Sequence, residues 1–313
     1  MTIVLEQKQI PTIPHLYSQK IVVVIPAYNE ERFIGSVVLQ AKQYAETVIV
    51  VDDGSADQTA AVAEKAGAHV IVHEANQGKG GALNTGFEMA RQYGADAVVT
   101  IDADGQHDAE EIEAVVNPVL KNQADIVIGS RYLEATSDVP THRIIGHIAF
   151  NFLTNQASGT EVTDSQSGFR AFSANSIQKI RFSSSGFSVE SEMQFLAKEH
   201  ELSVAEVPIT IFYHDPPKRS VIAHGLSVLN GILGLVGQYR PLLFFGIPGF
   251  CLLLAGLVWG AWVADVFYRT EQLPTGNALI SVMLFIVGNI ILSTGFILHS
   301  IRGLLINLNH RQA

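Results

Sequence analysis

The stretch VVTIDADGQH, residues 98–107, runs a short apolar segment straight into two aspartates spaced i and i+2, then a glycine, a glutamine and a histidine. Alternate side chains of an extended segment leave on the same face, so Asp102 and Asp104 are expected to project together from the end of a strand. AVVTI (97–101), which carries them, is one of five short β-branched runs, with IVVVI (21–25), TVIVV (47–51), HVIVH (69–73) and DIVIG (125–129). Between the runs lie segments of helical composition such as ERFIGSVVLQAKQY (31–44) and GALNTGFEMARQYG (81–94). Continuous apolar strands alternating with helices predict an α/β domain with a mostly parallel sheet covered by helices on both faces. Ligands of such sheets sit outside the carboxyl ends of the strands, where both DDGS (52–55) and DADGQH (102–107) fall.

Composition bounds the function. A net charge of -10 over 313 residues lacks the basic footprint of a nucleic-acid binder. The single cysteine, Cys251, forms no internal disulfide, and MTIVLEQKQIPTIPHLYSQK (1–20) holds no apolar core of secretory length, so the N-terminal part is expected in the cytoplasm.

The C-terminal third changes character. Residues 242–264 and 278–298 each run without a charge, and a membrane span needs roughly 20 apolar residues. Two transmembrane helices joined by the polar connector DVFYRTEQLPTGN (265–277) are expected, rather than a pair of buried core helices. Lys218, Arg219 and Arg240 precede the first span, Arg302 and Arg311 follow the second, and Arg269 alone lies between, which by the positive-inside tendency puts both ends in the cytoplasm. Ile222, Leu226, Leu229, Leu233 and Val236 recur at near-helical spacing and predict an interfacial helical segment over 216–240, despite its glycines. The expected organisation is an extension (1–19), a catalytic domain (20–215), the juxtamembrane segment (216–240) and a membrane domain (241–313).

A dinucleotide-binding domain would carry G-x-G-x-x-G after the first strand, where this chain has PAYNEE (26–31). NQGKGGALNTGF (76–87) fits neither that fingerprint nor the P-loop, although its amides could meet a phosphate at a helix N-terminus.

Taken together, VVVIPAYNEE, VIVVDDGSADQT, NQGKGGALNTGF, TIDADGQH, IVIGSRY and DSQSGFRAF resemble, in this order and spacing, the family 2 glycosyltransferases of the GT-A fold, over roughly residues 20–215. Within them the chain looks most like the dolichyl- or polyprenyl-phosphate hexosyltransferases, the group that includes dolichyl-phosphate mannose synthase. The resemblance implies that Asp102 and Asp104 lie beside a divalent cation, Mg2+ or Mn2+, on the diphosphate of a nucleotide sugar, with Gln106 as a further oxygen ligand. The chemistry agrees, because a hard cation takes carboxylate oxygens and Mg2+ typically binds through one or two carboxylates plus substrate phosphates.

The resemblance also implies a nucleoside pocket lined by Pro26, Ala27, Tyr28, Glu30 and Asp53, with Asp53 accepting from the base and Lys79 approaching the base or the diphosphate. Arg131 in GSRY and Arg143 in PTHR match family arginines that grip a lipid phosphate, and Lys218 or Arg219 in PPKRS fit a loop near the site. A phosphate monoester, with its second pKa near 6, is already an anionic nucleophile at neutral pH and needs cationic clamping more than a general base. Arginine's planar fork suits that task. Glu190 and Glu192 in GFSVESEMQFL (186–196) could hold sugar hydroxyls or order the arginines, while helix N-terminal stabilisation alone would also explain them.

The expectation is therefore an inverting, metal-dependent transfer of a hexose, mannose or glucose, from a GDP- or UDP-sugar to dolichyl or polyprenyl phosphate at the cytoplasmic face of the membrane. A family 2 enzyme acting on a glycan or another lipid acceptor, and a catalytically silent scaffold of a sugar-lipid pathway, stay open as alternatives. A polysaccharide synthase would usually carry Q-x-x-R-W and more spans, and a sugar-nucleotide pyrophosphorylase a glycine-rich arginine loop after the first strand; neither motif occurs. The sugar, the base, the lipid's length and any homo-oligomer are not fixed by these motifs.

Overall fold

A computed structural model of the chain describes residues 19–133, 141–183, 189–212 and 221–312. Its elements are β1 (Ile21–Ala27), α1 (Ile34–Ala41), β2 (Thr47–Asp52), α2 (Thr59–Lys65), β3 (His69–Val72), α3 (Gly78–Gln92), β4 (Ala97–Thr100), α4 (Ile112–Leu120), β5 (Ile126–Ser130), α5 (Thr141–Ser158), β6 (Arg170–Ser173), α6 (Ala174–Lys179), α7 (Val189–Glu199) and β7 (Val204–Pro208). Helices α8 (Val221–Tyr239), α9 (Ile247–Thr270) and α10 (Thr275–Gln312) follow, with a π-helical turn at Leu242–Gly246. The chain divides into two compact units between Gly231 and Ile232, within α8.

The first unit is built on one sheet of order β3-β2-β1-β4-β6-β5-β7. The five expected strands are present, and β1, β2, β3 and β4 pair in parallel, as do β5 and β7. Two strands were not foreseen. RAFS is too short and too polar at its ends to stand out, and VAEVP breaks its apolar run with a glutamate and a proline. Strand β6 runs antiparallel between β4 and β5, so its N-terminal approach, residues 164–169, lies at the end of the sheet where the parallel strands finish.

Burial explains the strand composition. Val22, Val23, Val24 and Ile25 of β1 are wholly buried, which is why this strand reads as a continuous apolar run and not as an alternation. Val23, Ile25, Val48 and Val50 pack into one core with Ile34 and Val37 of α1 and Ile112 and Val115 of α4. Each such side chain taken from water contributes about 1.5–3 kcal/mol. On the opposite face α3 approaches β1 so closely that a Cβ on Gly86 would lie 2.3 Å from Val24 Cγ1. Strands β2 and β3 lie to one side of β1 and β4 to the other, so the order reverses between β1 and β4 and opens a crevice there.

The second unit is a helical hairpin. Leu242–Thr270 and Thr275–Leu304 each contain an 18-residue stretch of mean hydropathy 2.2 of which only 17% is buried, so both are long and apolar enough to cross a membrane. The helices run through most of the expected polar connector, because α9 ends only at Glu271, in the left-handed region at φ 57°, and α10 resumes at Thr275. The two pack through small residues. A Cβ on Gly288 would lie 2.4 Å from the Leu253 backbone nitrogen and one on Gly249 2.5 Å from that of Leu292, so the backbones touch where only hydrogen fits. Ser281 Oγ donates to the Gly256 carbonyl at 2.9 Å. At the far end Arg302 donates to the Tyr239 carbonyl and stacks 4.7 Å from the Tyr239 ring centroid.

Candidate active site

The crevice is walled on one side by the loops after β1, β2 and β3, which lock onto one another. The Asn29 amide donates to Ser55 Oγ at 2.8 Å, the Glu30 amide to Thr59 Oγ1 at 2.8 Å, and the Ala56 amide to Asn29 Oδ1 at 2.9 Å. Of the residues expected around a nucleoside, Ala27 is buried, Pro26 and Glu30 are half-buried, and Tyr28 is 49% exposed at the rim. Asp53 is buried and heavily engaged. Its Oδ1 accepts from the Gln77 amide at 2.9 Å and lies 2.7 Å from His73 Nδ1, and its Oδ2 accepts from the Gly78 amide at 2.7 Å. A carboxylate only accepts, so His73 Nδ1 donates to it, and Nε2 lies 2.9 Å from Thr85 Oγ1. The α3 N-terminus, whose amides could have met a phosphate, spends those of Gln77 and Gly78 on Asp53, an anion of the chain itself.

Asp102 and Asp104 lie on the loop that follows β4, at the point where the sheet order reverses. Lys79, on the first turn of α3, reaches Asp102 Oδ1 and Glu190 Oε1, each at 2.6 Å, and so ties β4, α3 and α7 together. Burial opposes the charge on Asp102, but the Lys79 ammonium, with His107 behind it, holds the carboxyl well below the usual carboxylate range. Burial likewise opposes the Lys79 charge, and Asp102 and Glu190 outweigh it and raise the ammonium above its ordinary value. Asp104 goes the other way, pushed up by burial and by the neighbouring Asp102. Its Oδ1 accepts from the Gln106 backbone amide at 3.0 Å, which closes the turn.

The SQSGF loop buttresses this cluster. Thr100 Oγ1 donates to the Gly168 carbonyl at 2.9 Å, and a Cβ on Gly168 would fall 2.4 Å from Asp102 Oδ2, so only glycine lets the loop pass the carboxylate. Arg170, fully buried, fixes the loop from behind, with Nε donating to the Ser167 carbonyl at 2.8 Å and a terminal nitrogen to the Ser165 carbonyl at 2.9 Å. Arg131, at the end of β5, donates from Nε to Asp164 Oδ2 at 2.6 Å, and Asp164 is wholly buried at the start of the same loop. Glu206 of β7 accepts from the Thr163 amide at 2.9 Å and the Asp164 amide at 3.2 Å, which positions Asp164 in turn.

The structure thus brings Lys79, Asp102, Asp104 and Gln106 together, and links Arg131 to them through the 164–168 loop. Arg143 lies in α5, with its side chain outside the described residues, and Lys218 and Arg219 are outside them altogether. Glu190 holds Lys79 at 2.6 Å, while Glu192 accepts from the Ser183 amide at 2.8 Å. Residues that sequence reasoning did not single out for a role are Asp164, Gly168, Glu206 and His73, all defined by contacts with distant segments. His107 is another: its Nε2 is 3.8 Å from Asp102 Oδ2, its ring centroid is 5.2 Å from that of Phe169, and its buried Nδ1 has no partner among the described residues.

The donor set fits a divalent cation of the Mg2+ or Mn2+ kind. Asp102 already carries a cation at hydrogen-bonding distance, and two neighbouring carboxylates make an open site that substrate phosphates can complete. Among the described residues no group of three or more histidine, cysteine, aspartate or glutamate side chains is placed to hold an ion.

Comparison with known proteins shows the family and the fold. The description of glycosyl transferase family 2 matches residues 22–181. The UDP-N-acetylglucosamine–dolichyl-phosphate N-acetylglucosaminyltransferase of Methanococcus voltae is 35% identical over 67% of this chain and 91% of its own. The polyprenol monophosphomannose synthase of Mycolicibacterium smegmatis is 31% identical over 62% of this chain and 77% of its own. Among solved structures, glucosyl-3-phosphoglycerate synthase of Mycobacterium tuberculosis, crystallised with Mn2+, uridine diphosphate and phosphoglyceric acid, superposes with a TM-score of 0.56 at 24% identity, over 70% of this chain and 79% of that one. The fold is GT-A, followed by two apolar helices.

Proposed function

The chain belongs to glycosyl transferase family 2, and from that membership we propose that it moves a glycosyl group from a nucleoside-diphosphate sugar to a dolichyl or polyprenyl phosphate at the cytoplasmic face of a membrane. One observation carries the reading: Asp102 and Asp104 stand side by side, next to a cation, at the crevice where the sheet order reverses. The names of the relatives from Methanococcus voltae and Mycolicibacterium smegmatis support the acceptor class, and the apolar hairpin supports a site beside the bilayer.

In this reading the interlocked loops after β1 and β2 hold the nucleoside, with Tyr28 at the rim and Asp53 at the base of the pocket. Asp102 and Asp104, with Gln106, would hold a divalent cation, which would supply neutralisation of the diphosphate. Lys79 adds a further positive charge beside the diphosphate. Arg131, aimed by Asp164, grips the acceptor phosphate together with Arg143, and Lys218 or Arg219 approach from their loop. A phosphate oxygen attacks the anomeric carbon opposite the diphosphate. The new C–O bond forms as the bond to the leaving oxygen breaks, its electron pair departs with the nucleoside diphosphate, and the anomeric configuration inverts. No proton need be removed, because the attacking phosphate is already ionised at neutral pH.

Mannose and glucose are the expected sugars, from GDP or UDP, and the Methanococcus voltae relative is named for N-acetylglucosamine. The test supplies membranes containing the protein with a panel of labelled nucleotide sugars and extracts the lipid. Label in an acid-labile lipid phosphate ester, dependent on added polyprenyl phosphate, is expected. Label confined to a polysaccharide, or transfer to uncharged polyprenol as fast as to its phosphate, overturns the acceptor assignment.

A further inference from the structure

Lys79 stands on the first turn of α3, where the helix macrodipole disfavours a positive charge, yet its Nζ is 2.6 Å from both Asp102 Oδ1 and Glu190 Oε1. It occupies one of the two oxygens through which Asp102 would hold a divalent cation. The other oxygen, Oδ2, is hemmed in by Gly168, whose Cβ would lie 2.4 Å away, and by His107 Nε2 at 3.8 Å. An ammonium and a divalent cation on one carboxylate repel strongly in a partly buried site, so the two compete for Asp102. Glu190 alone does not replace what Lys79 would lose. The natural replacement is an anion that arrives with the metal, and a nucleoside diphosphate is one. Glu190 keeps the lysine tethered through such an exchange: it is buried on α7, and its second oxygen has no partner among the described residues and can accept as the ammonium pivots.

We propose that Lys79 is a resident counter-ion, held on Asp102 while the donor site is vacant and handed to the donor's diphosphate as metal binds, so that free divalent cation binds weakly and metal and nucleotide enter together. The inference rests on Asp102 being a metal ligand, as read above.

Binding of Mn2+ to the full chain in detergent, followed by the electron paramagnetic resonance of free Mn2+, tests it without reference to turnover. Titrations are run alone and with saturating UDP or GDP, on the wild type, Lys79→Gln, Lys79→Met and Asp102→Asn. Wild type is expected to hold Mn2+ weakly alone and about tenfold or more tightly with nucleotide. Both lysine variants are expected to hold Mn2+ alone about tenfold or more tightly than wild type, while binding nucleotide more weakly. Lysine variants that leave Mn2+ affinity unchanged or lower it, while Asp102→Asn abolishes it, overturn the counter-ion role and leave the metal assignment intact. Asp102→Asn binding Mn2+ like the wild type overturns the metal assignment itself. Should both lysine variants lose the wild-type circular dichroism, the wild type decides: Mn2+ bound as tightly without nucleotide as with it overturns the proposal.

Discussion

Gly168→Ala is the substitution that interrogates the site most sharply, because it adds one methyl group and no charge. The new Cβ would lie 2.4 Å from Asp102 Oδ2, 2.6 Å from Oδ1 and 2.8 Å from Cγ, against ordinary contacts of 3.4 Å or more. Something must retreat by about 1 Å, and a misplacement of that size at a reacting centre costs on the order of 10²-fold in rate. The loop cannot readily yield, since Gly168 is held through its carbonyl by Thr100 and its neighbours by the buried Arg170 guanidinium. Asp102 therefore moves, off Lys79 and away from Asp104. We expect kcat/KM to fall about 10²-fold, roughly 2.7 kcal/mol of transition-state stabilisation, with Mn2+ affinity in the presence of nucleotide falling in parallel. Thermal unfolding should report a loss of about 1–3 kcal/mol, the usual cost of overpacking. The assay pairs initial rates of lipid-linked sugar formation with Mn2+ titration on the same preparation. Wild-type turnover and Mn2+ affinity in Gly168→Ala would refute the claim that this loop fixes the carboxylate.

Asp104→Asn should lower transfer by about 10²–10³-fold, and EDTA should stop the wild type, with Mg2+ or Mn2+ restoring it; full turnover in EDTA contradicts the metal assignment. Arg131→Lys keeps the charge but loses the fork that reaches Asp164 at 2.6 Å, so polyprenyl-phosphate efficiency should drop about ten- to a hundredfold while calorimetric nucleotide affinity stays near wild type. Loss of nucleotide binding would put the arginine on the donor side. Asp125 accepts from the Ser203 amide and hydroxyl at 2.9 and 2.8 Å and from Asn175 at 3.1 Å; burial pushes its carboxyl up, and these bonds outweigh burial and hold it below the ordinary value. A depressed folded pKa stabilises above the unfolded value near 3.9 and is lost as pH falls through the folded one; with solvent screening this largely solvated group, Asp125→Asn should cost at most about 1 kcal/mol at pH 7 and progressively less below about pH 4, by denaturant unfolding at each pH.

The parts of the fold legible in the sequence are those whose physics is local. IVVVI declares a strand buried on both faces because four consecutive positions are wholly inside, and the charge-free runs of the C-terminal third announce helices long enough for a bilayer. DADGQH reads as a strand end because the apolar run stops at a carboxylate. The remainder depends on residues far apart in the chain. Lys79 and Glu190 are 111 positions apart and Arg131 and Asp164 are 33 apart, and no local pattern marks either pair. Asp53 was legible as a residue at the crevice, but its bonds to the Gln77 and Gly78 amides depend on the β3–α3 turn folding back over β2. Strand β6 hides for a related reason: its four residues are defined by the two neighbours they pair with, not by their own composition.

That hidden strand is what assembles the site. Had β6 run parallel to β4, the residues preceding it would lie at the opposite edge of the sheet from Asp102. Running antiparallel, with Arg170 opposite Thr100, it feeds DSQSG across the ends of β4 and β5 in one pass. Asp164 then meets Arg131 on one side and Gly168 meets Asp102 on the other, four residues apart. Register is critical here, because a slip of one residue would set Phe169 or Ser167 against the Asp102 carboxylate in place of the one residue without a Cβ, and would turn the buried Arg170 to the other face. The reversal of a single short strand couples the carboxylates assigned to the donor and the arginine assigned to the acceptor through one rigid loop, so a change that loosens the loop should degrade use of both substrates together.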